Sequence, residues 1–255
     1  MKVNHKIDLI AMSLIRVLIN GSKGRMGQES VKAVSADAEL DLVAQTDLSD
    51  NLAQIIEQSK AQVVLDFTIA AVAMDVSASI IQSGARPVIG TSGLLPEQVA
   101  ELKKLCKEQK IGGVIAPNFA IGAVLMMKYS QDAARYFPQA EVIELHHNGK
   151  LDAPSGTAIK TANLIAESRA SVPQTIAEKE ILPGARGANA EEIRIHSIRL
   201  PGLVAHQEVL FGGQSQTLTI RHDSTHRDSF MPGVCLACKK VMELNELVYG
   251  LEHLL

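Results

Sequence analysis

The sequence predicts an α/β protein in which a doubly wound parallel sheet is joined to a second, α+β domain with a mixed or antiparallel sheet. Three observations carry this. Short apolar runs alternate with helical stretches from Ile15 to Ala116, the pattern of strands and crossover helices in a buried parallel sheet. Between Ile193 and Arg221, strand-like segments instead follow one another with only turns between them, as antiparallel sheets allow. The length of 255 residues suits one large or two small domains.

Residues 1–14 fit no element cleanly, and 1–11 are expected to be an extension outside the fold. Ile15–Ile19 is an apolar run ending in Asn20-Gly21, a buried strand meeting a turn. A helix follows over about 26–35, then strands at 40–45 and 63–67. The next expected elements are a helix near 71–83, a strand at 87–90, a helix opening at Pro96, where proline suits the first turn, and a strand at 113–116. Beyond these come a helix over 123–136, a strand over 142–146 and a helix over 157–168. Residues 170–190, rich in Pro, Gly and Ala, read as a long loop. Strands are expected at 193–200, 207–211 and 217–221, with Phe211-Gly212-Gly213-Gln214 as a turn, and a terminal helix over about 231–247. The predicted domains are 1–121, 122–226, and a segment 227–255 that returns to the first.

Composition excludes several classes. Net charge is −3 with neutral His, and aromatic residues make up only 3% of the chain. Nucleic-acid binders favour a basic surface or stacking rings, so no nucleic-acid partner is expected. Three cysteines are too few and too odd in number for a disulfide scaffold. No apolar run approaches the roughly 18 residues that suggest a membrane span. No membrane partner and a cytoplasmic location are expected.

Gly21-Ser22-Lys23-Gly24-Arg25-Met26-Gly27 lies between a strand and a helix. That context suits a Rossmann-type dinucleotide loop: Gly21 for the tight turn, Gly24 for close approach of a pyrophosphate, Gly27 for helix–strand packing. The spacing is Gly-x-x-Gly-x-x-Gly, with Lys23 where the commoner fingerprint has its middle glycine. Asp47 lies about 20 residues past Gly27, where an acid bonds the adenosine ribose hydroxyls. Lys23 and Arg25 would attract a 2′-phosphate and Asp47 would repel it, so use of either NADH or NADPH is expected.

The densest chemistry lies in Glu144-Leu145-His146-His147-Asn148-Gly149-Lys150-Leu151-Asp152-Ala153-Pro154-Ser155-Gly156-Thr157-Ala158. Ser155-Gly156-Thr157 opens a helix, and amides at a helix start with two hydroxyls form a cradle for a carboxylate. Lys150 could add a cation to that cradle or a proton to the reacting carbon. His146 or His147 could act as a general acid. A zinc site at His146, His147 and Asp152 is poorly supported, and no metal is expected. His222–Arg227 reads as a polar loop, and Cys235 and Cys238 as buried thiols on a helix. Gly90-Thr91-Ser92-Gly93 and Ala116-Pro117-Asn118-Phe119 each follow a strand of the parallel sheet, the end at which such sheets bind ligands.

These motifs together resemble the dihydrodipicolinate reductase family of lysine and diaminopimelate biosynthesis. Glu144–Ala158 is similar to the family's E-x-H-H-x-x-K-x-D-A-P-S-G-T-A signature, and Gly21–Gly27 to its Gly-x-x-Gly-Arg-Met-Gly loop. Leu65-Asp66-Phe67-Thr68 and the segments at 90–93 and 116–119 match cofactor-side stretches. The resemblance implies reduction of 4-hydroxy-tetrahydrodipicolinate by NADH or NADPH with loss of water. It implies His146 as general acid and Lys150 as a proton-donating or substrate-orienting lysine. His147, Ser155, Gly156 and Thr157, with Ser92, would hold the small dicarboxylate. It further implies Phe67, Thr68, Gly90, Thr91, Ser92, Ala116, Asn118 and Phe119 near the cofactor, Arg227 at the return to the nucleotide domain, and a homotetramer built through the sheet-rich domain. Leu48 stands where some members carry an arginine for the 2′-phosphate, which leaves cofactor preference open. Another two-domain NAD(P) dehydrogenase acting on an amino- or keto-dicarboxylate, or a nucleotide sensor with a degenerate site, are the competing readings. The intact His146 and Lys150 oppose the sensor.

Overall fold

The computed structural model describes residues 13–171 and 179–255. The predicted extension over 1–11 and residues 172–178 of the predicted loop lie outside them. In chain order the elements are β1 (Ile15–Asn20), α1 (Arg25–Ala36), β2 (Leu40–Thr46), α2 (Leu52–Ser59), β3 (Val63–Asp66), α3 (Ala73–Gln82), β4 (Arg86–Ile89), α4 (Pro96–Gln109) and β5 (Gly113–Ile115). They continue with α5 (Ile121–Ala133), β6 (Gln139–His146), α6 (Gly156–Ser168), β7 (Ala188–Ala190), β8 (Ile193–Arg199), β9 (Ala205–Gly213), β10 (Gln216–Ser224), α7 (Met231–Lys240) and β11 (Leu247–Tyr249). The chain divides into two compact units, one running to Ala116 and completed by Cys235–Tyr249, the other formed by Pro117–Val234 and Gly250–Leu255.

The first unit is built on a six-stranded sheet in the order β11-β5-β4-β3-β1-β2. Every pair in it is parallel. Val63, Val64, Leu65, Val88 and Ile89 are fully buried, as expected of strands covered on both faces. Leu18, Val64 and Ile89 share one core with Ile80 and Ile81 of α3 and Leu102 and Cys106 of α4. The strand order reverses direction at β1, whose neighbours are β2 and β3. This is the switch point at which doubly wound sheets open a ligand crevice.

The second unit carries a mixed five-stranded sheet, ordered β10-β9-β6-β8-β7. β6 runs parallel to β8 and antiparallel to β9. Val142, Ile195, Val209 and Phe211 point to one face, where they pack with Ala158, Ala162 and Ile165 of α6. Among the described residues, no helix is long and apolar enough to cross a membrane.

The structure corrects four local expectations. Helix α2 forms where none was expected: Asn51 caps it by accepting the Gln54 amide, and Lys60 ends it in a left-handed conformation. Ala188–Ala190, inside the predicted loop, pairs with β8; three residues are too few to show a period. Strand β9 continues through Gly213, so the turn is Gln214-Ser215, with Ser215 at φ 57°. The predicted terminal helix stops at Lys240, and the apolar Leu247–Tyr249 instead pairs with the edge of β5.

Phe211 is 1% exposed at the centre of the second core. Phe211→Ala is expected to cost about 3–5 kcal/mol of stability, read from urea unfolding; a loss below about 1 kcal/mol would contradict this packing.

Candidate active site

In the first unit, the loop between β1 and α1 is shaped by two glycines. Gly21 has φ +79°, and a Cβ on Gly27 would lie 2.1 Å from the Gly21 carbonyl oxygen. Only glycine lets the helix start this close to the loop. Gly24 caps α1 without a side-chain hydrogen bond, so the amides of its first turn are left for an anion. The predicted residues Gly21, Gly24, Arg25, Met26, Asp47, Phe67, Thr68, Gly90, Thr91 and Ser92 line one groove of about 530 Å³, together with Leu48. Asp47 Oδ2 also accepts from the Ser22 hydroxyl at 3.3 Å and the Lys23 amide at 3.2 Å, and Lys23 Nζ lies 3.9 Å away. The loop and the acid are thus bonded to each other, and their shape and donor set fit a dinucleotide.

A buried network lies beneath this groove. Asp66 is fully buried at the end of β3. It accepts from Asn20 Nδ2 at 2.8 Å, Thr91 Oγ1 at 2.6 Å and Thr68 Oγ1 at 3.0 Å. Thr46 in turn donates to Asn20 Oδ1 at 2.9 Å. Burial pushes the Asp66 carboxyl up, while the bonds from Thr91, Asn20 and Thr68 favour its ionised form. This network joins the ends of β1, β2 and β3 to the loop after β4. Its sequence signal is a polar residue ending each of three apolar runs, which Asn20 and Asp66 display.

In the second unit, β6 delivers His146 to the inner face of the sheet at its C-terminal end, opposite Arg199 of β8. Glu144, two residues earlier on the same face, is fully buried. Its carboxylate receives His146 Nδ1 at 2.5 Å and both terminal guanidinium nitrogens of Arg199 at 2.7 and 2.8 Å. The Ser155 amide reaches Glu144 Oε1 at 3.3 Å. Burial favours the neutral acid at Glu144, but Arg199, Ser197 and His146 outweigh it and hold the carboxyl below its usual range. Burial also depresses the His146 imidazole, aided by the charges of Lys150 and Arg199 and opposed by Glu144.

Ser155 caps α6 by accepting the Ala158 amide at 3.2 Å. A Cβ on Gly156 would meet nothing within 4 Å, so the space over the first turn is open. His146, Ser155 and Thr157 line one pocket with Asn118, Gln207 and His222. Asn118 Nδ2 lies 3.4 Å from Thr157 Oγ1, which places Asn118 in the second unit beside the first turn of α6. His147 and Lys150 sit on the loop leaving β6, and Lys150 Nζ is held by both Asp152 oxygens at 2.8 Å. Ala116 closes β5 through a 2.9 Å bond to the Ile89 carbonyl. Phe119 is buried, and Arg227 begins the 3-10 turn before α7. His222 is a β10 residue rather than part of a loop. Among the described residues no group of three His, Cys, Asp or Glu could hold a metal ion. Cys235 and Cys238 are free and buried on α7, and burial pushes the Cys235 thiol up to about 11.

Sequence reasoning missed Arg199 altogether and took Glu144 only as part of a motif. A basic residue ending a strand is a weak signal, and only the β6–β8 register makes it a partner of Glu144.

A parallel sheet with a glycine loop at its switch point, joined to a unit that combines an anion cradle with a buried acid–imidazole pair, defines a nucleotide-dependent oxidoreductase. Family models agree: residues 15–119 match the dihydrodipicolinate reductase N-terminus and residues 122–255 the dihydrodipicolinate reductase C-terminus. The chain belongs to the dihydrodipicolinate reductase family. It is 50% identical over 262 residues to the 4-hydroxy-tetrahydrodipicolinate reductase of Listeria monocytogenes, with 94% of this chain and all of the relative covered. It is 52% identical over 240 residues to that of Legionella pneumophila, with 94% and 99% covered. Among solved structures, the dipicolinate-bound dihydrodipicolinate reductase from Paenisporosarcina sp. TG-14 superposes with a TM-score of 0.88 at 47% identity, covering 95% of this chain and all of that one. An amine dehydrogenase from Mycobacterium smegmatis, 13% identical with a TM-score of 0.65 over 94% and 96% of the chains, shares the fold alone.

Asp47→Ala is expected to raise the Kd for NADH by about tenfold or more, the worth of a hydrogen bond to a charged group. The loss for NADPH should be smaller, because the same change removes repulsion of its 2′-phosphate. Fluorescence titration with both nucleotides reads this; a larger loss for NADPH would sink the ribose assignment.

Proposed function

We propose that this protein reduces 4-hydroxy-tetrahydrodipicolinate to tetrahydrodipicolinate with loss of water, using NADH or NADPH. The observation that carries the reading is the open first turn of α6 set beside His146, an anion cradle next to a proton donor. Dipicolinate, named with the Paenisporosarcina reductase, is a small dicarboxylate of the kind this cradle suits.

Residues of the Gly21–Gly27 loop would hold the pyrophosphate of the nucleotide on the amides of α1, and Asp47 would bond its ribose. Phe67, Thr68, Gly90, Thr91 and Ser92 would take its nicotinamide half. When bound, the nucleotide supplies the hydride for ring C4 of the substrate. One substrate carboxylate rests on the amides and hydroxyls of Ser155, Gly156 and Thr157, with His147 at its side. Lys150 leaves Asp152 for the incoming dianion, exchanging one carboxylate partner for another. His146, with Nδ1 committed to Glu144, protonates the neighbouring ring atom from Nε2. The water leaves from the 4-hydroxy position, so the hydride and one proton account for the product.

The same reading carries a cytoplasmic location and a homotetramer. In support of the latter, the sheet face opposite α6 presents Ile143, Leu145, Ile198 and Leu210, all partly exposed. A second copy would cover such a face.

Nucleotide oxidation followed by absorbance, with freshly generated substrate, tests the activity; turnover only with another dicarboxylate would overturn it. His146→Ala is expected to lower kcat by about 10²–10⁴-fold, the usual contribution of a positioned acid, with a smaller change in KM. Lys150→Ala should raise KM and lower kcat together. An unchanged kcat in His146→Ala would remove that residue from the chemistry.

A further inference from the structure

Glu144 has no place in the proton inventory of the reaction, yet its buried carboxylate is bonded to three different residues of the second unit. Its side chain is fully buried, and its two oxygens together meet His146 Nδ1, two nitrogens of Arg199 and the Ser155 amide. Arg199 Nη2 also donates to the Asp152 carbonyl at 2.7 Å. One carboxylate therefore touches the imidazole, the helix start that forms the cradle, and an arginine bonded to the loop carrying Lys150.

We infer that Glu144, held by Arg199, is a positioning residue that fixes His146 in the tautomer protonated at Nδ1, so that Nε2 is the atom that loads and delivers the proton. The inference rests on the general-acid reading of His146. A carboxylate that stays ionised accepts only, so the nitrogen facing it must carry hydrogen. The bidentate guanidinium keeps it ionised, as a fork geometry does for a planar carboxylate. The opposite ring nitrogen is then free of chain partners among the described residues and open to the pocket shared with Ser155 and Thr157. The Glu144–Ser155 bond also sets the distance from the imidazole to the cradle, because both hang from the same carboxylate.

The charge of Glu144 has a second effect. It favours the imidazolium against burial and against the cations Lys150 and Arg199. The other titratable groups lining the pocket with His146 are His206 of β9 and His222 of β10; Asn118 before α5, Met126 of α5, Ser155 at the cap of α6 and Thr157 in its first turn are uncharged. Glu144 is the anion in direct contact with His146; Asp152, paired with Lys150, and Asp223, paired with His206, stand one partner further out. A general acid works while protonated, so kcat/KM falls as pH rises through its pKa. Removing the anion must move that limb to lower pH.

The test joins a spectrum to a pH profile. In the wild-type protein labelled with 15N-histidine, neutral His146 is expected to show hydrogen on Nδ1 and a bare Nε2; hydrogen on Nε2 would overturn the inference without any variant. Glu144→Gln keeps an acceptor for the Nδ1 proton and removes the charge. It should shift the basic limb of kcat/KM down by about one pH unit or more and lower kcat at neutral pH by about 10-fold or more, with KM changed less. A folded Glu144→Gln enzyme with the wild-type limb would also overturn it. Arg199→Lys, which keeps the charge but loses the fork, should shift the limb in the same direction by less; no shift at all counts against the arginine's part. The general-acid reading itself fails on a different result, full activity in His146→Ala, and the tautomer spectrum is independent of that outcome.

Discussion

The paired bonds between the Arg199 guanidinium and the buried Glu144 carboxylate are the constraint on which the arrangement of the second unit's polar groups depends. A carboxylate with no exposed surface needs a full set of donors, or burial would neutralise it. Here those donors come from β6, β8 and the first turn of α6, so satisfying one charge fixes three elements against one another. Removing one partner of such a pair leaves the other uncompensated, a loss on the order of 3–5 kcal/mol. The site is rigid because its charge has nowhere else to go.

The first unit uses the same device on a different scaffold. Asp66 is also fully buried and also ends a strand, but its donors are neutral: two amides and two hydroxyls. Those hydroxyls belong to Thr68 and Thr91, which line the groove over the Gly21–Gly27 loop. Spending their hydrogens on Asp66 leaves them as acceptors toward the groove. In both units, then, a buried carboxylate beneath the site decides what the groups above it can offer.

Much of this was legible from the residues. The alternation of strands and helices gave the parallel sheet because β1 to β4 each read as an apolar run followed by a helical stretch or a turn. The loop at Gly21–Gly27 was legible because its glycines answer to local geometry, and the cradle at Ser155 because capping is local too. What was missed depends on partners far away in the chain. Strands β7 and β11 have three residues each and exist because an edge accepts them. Helix α2 has eight residues, with only Ile56 deeply buried, so its apolar stripe is short. Arg199 pairs with a glutamate 55 positions earlier, a relation visible only once β6 and β8 are in register.

Strand β11 has a consequence for the order in which the molecule is made. It completes the first unit's sheet by pairing with β5, yet it is translated only after residues Pro117–Val234, the main part of the second unit. While the ribosome is making that unit, the β5 edge carries unpaired amides and carbonyls of the sort that recruit other strands. Gly113–Ile115 is short and buried in the finished protein, which limits that exposure to a few residues. The β5 edge can therefore be closed only once a strand more than a hundred residues further along the chain has been made.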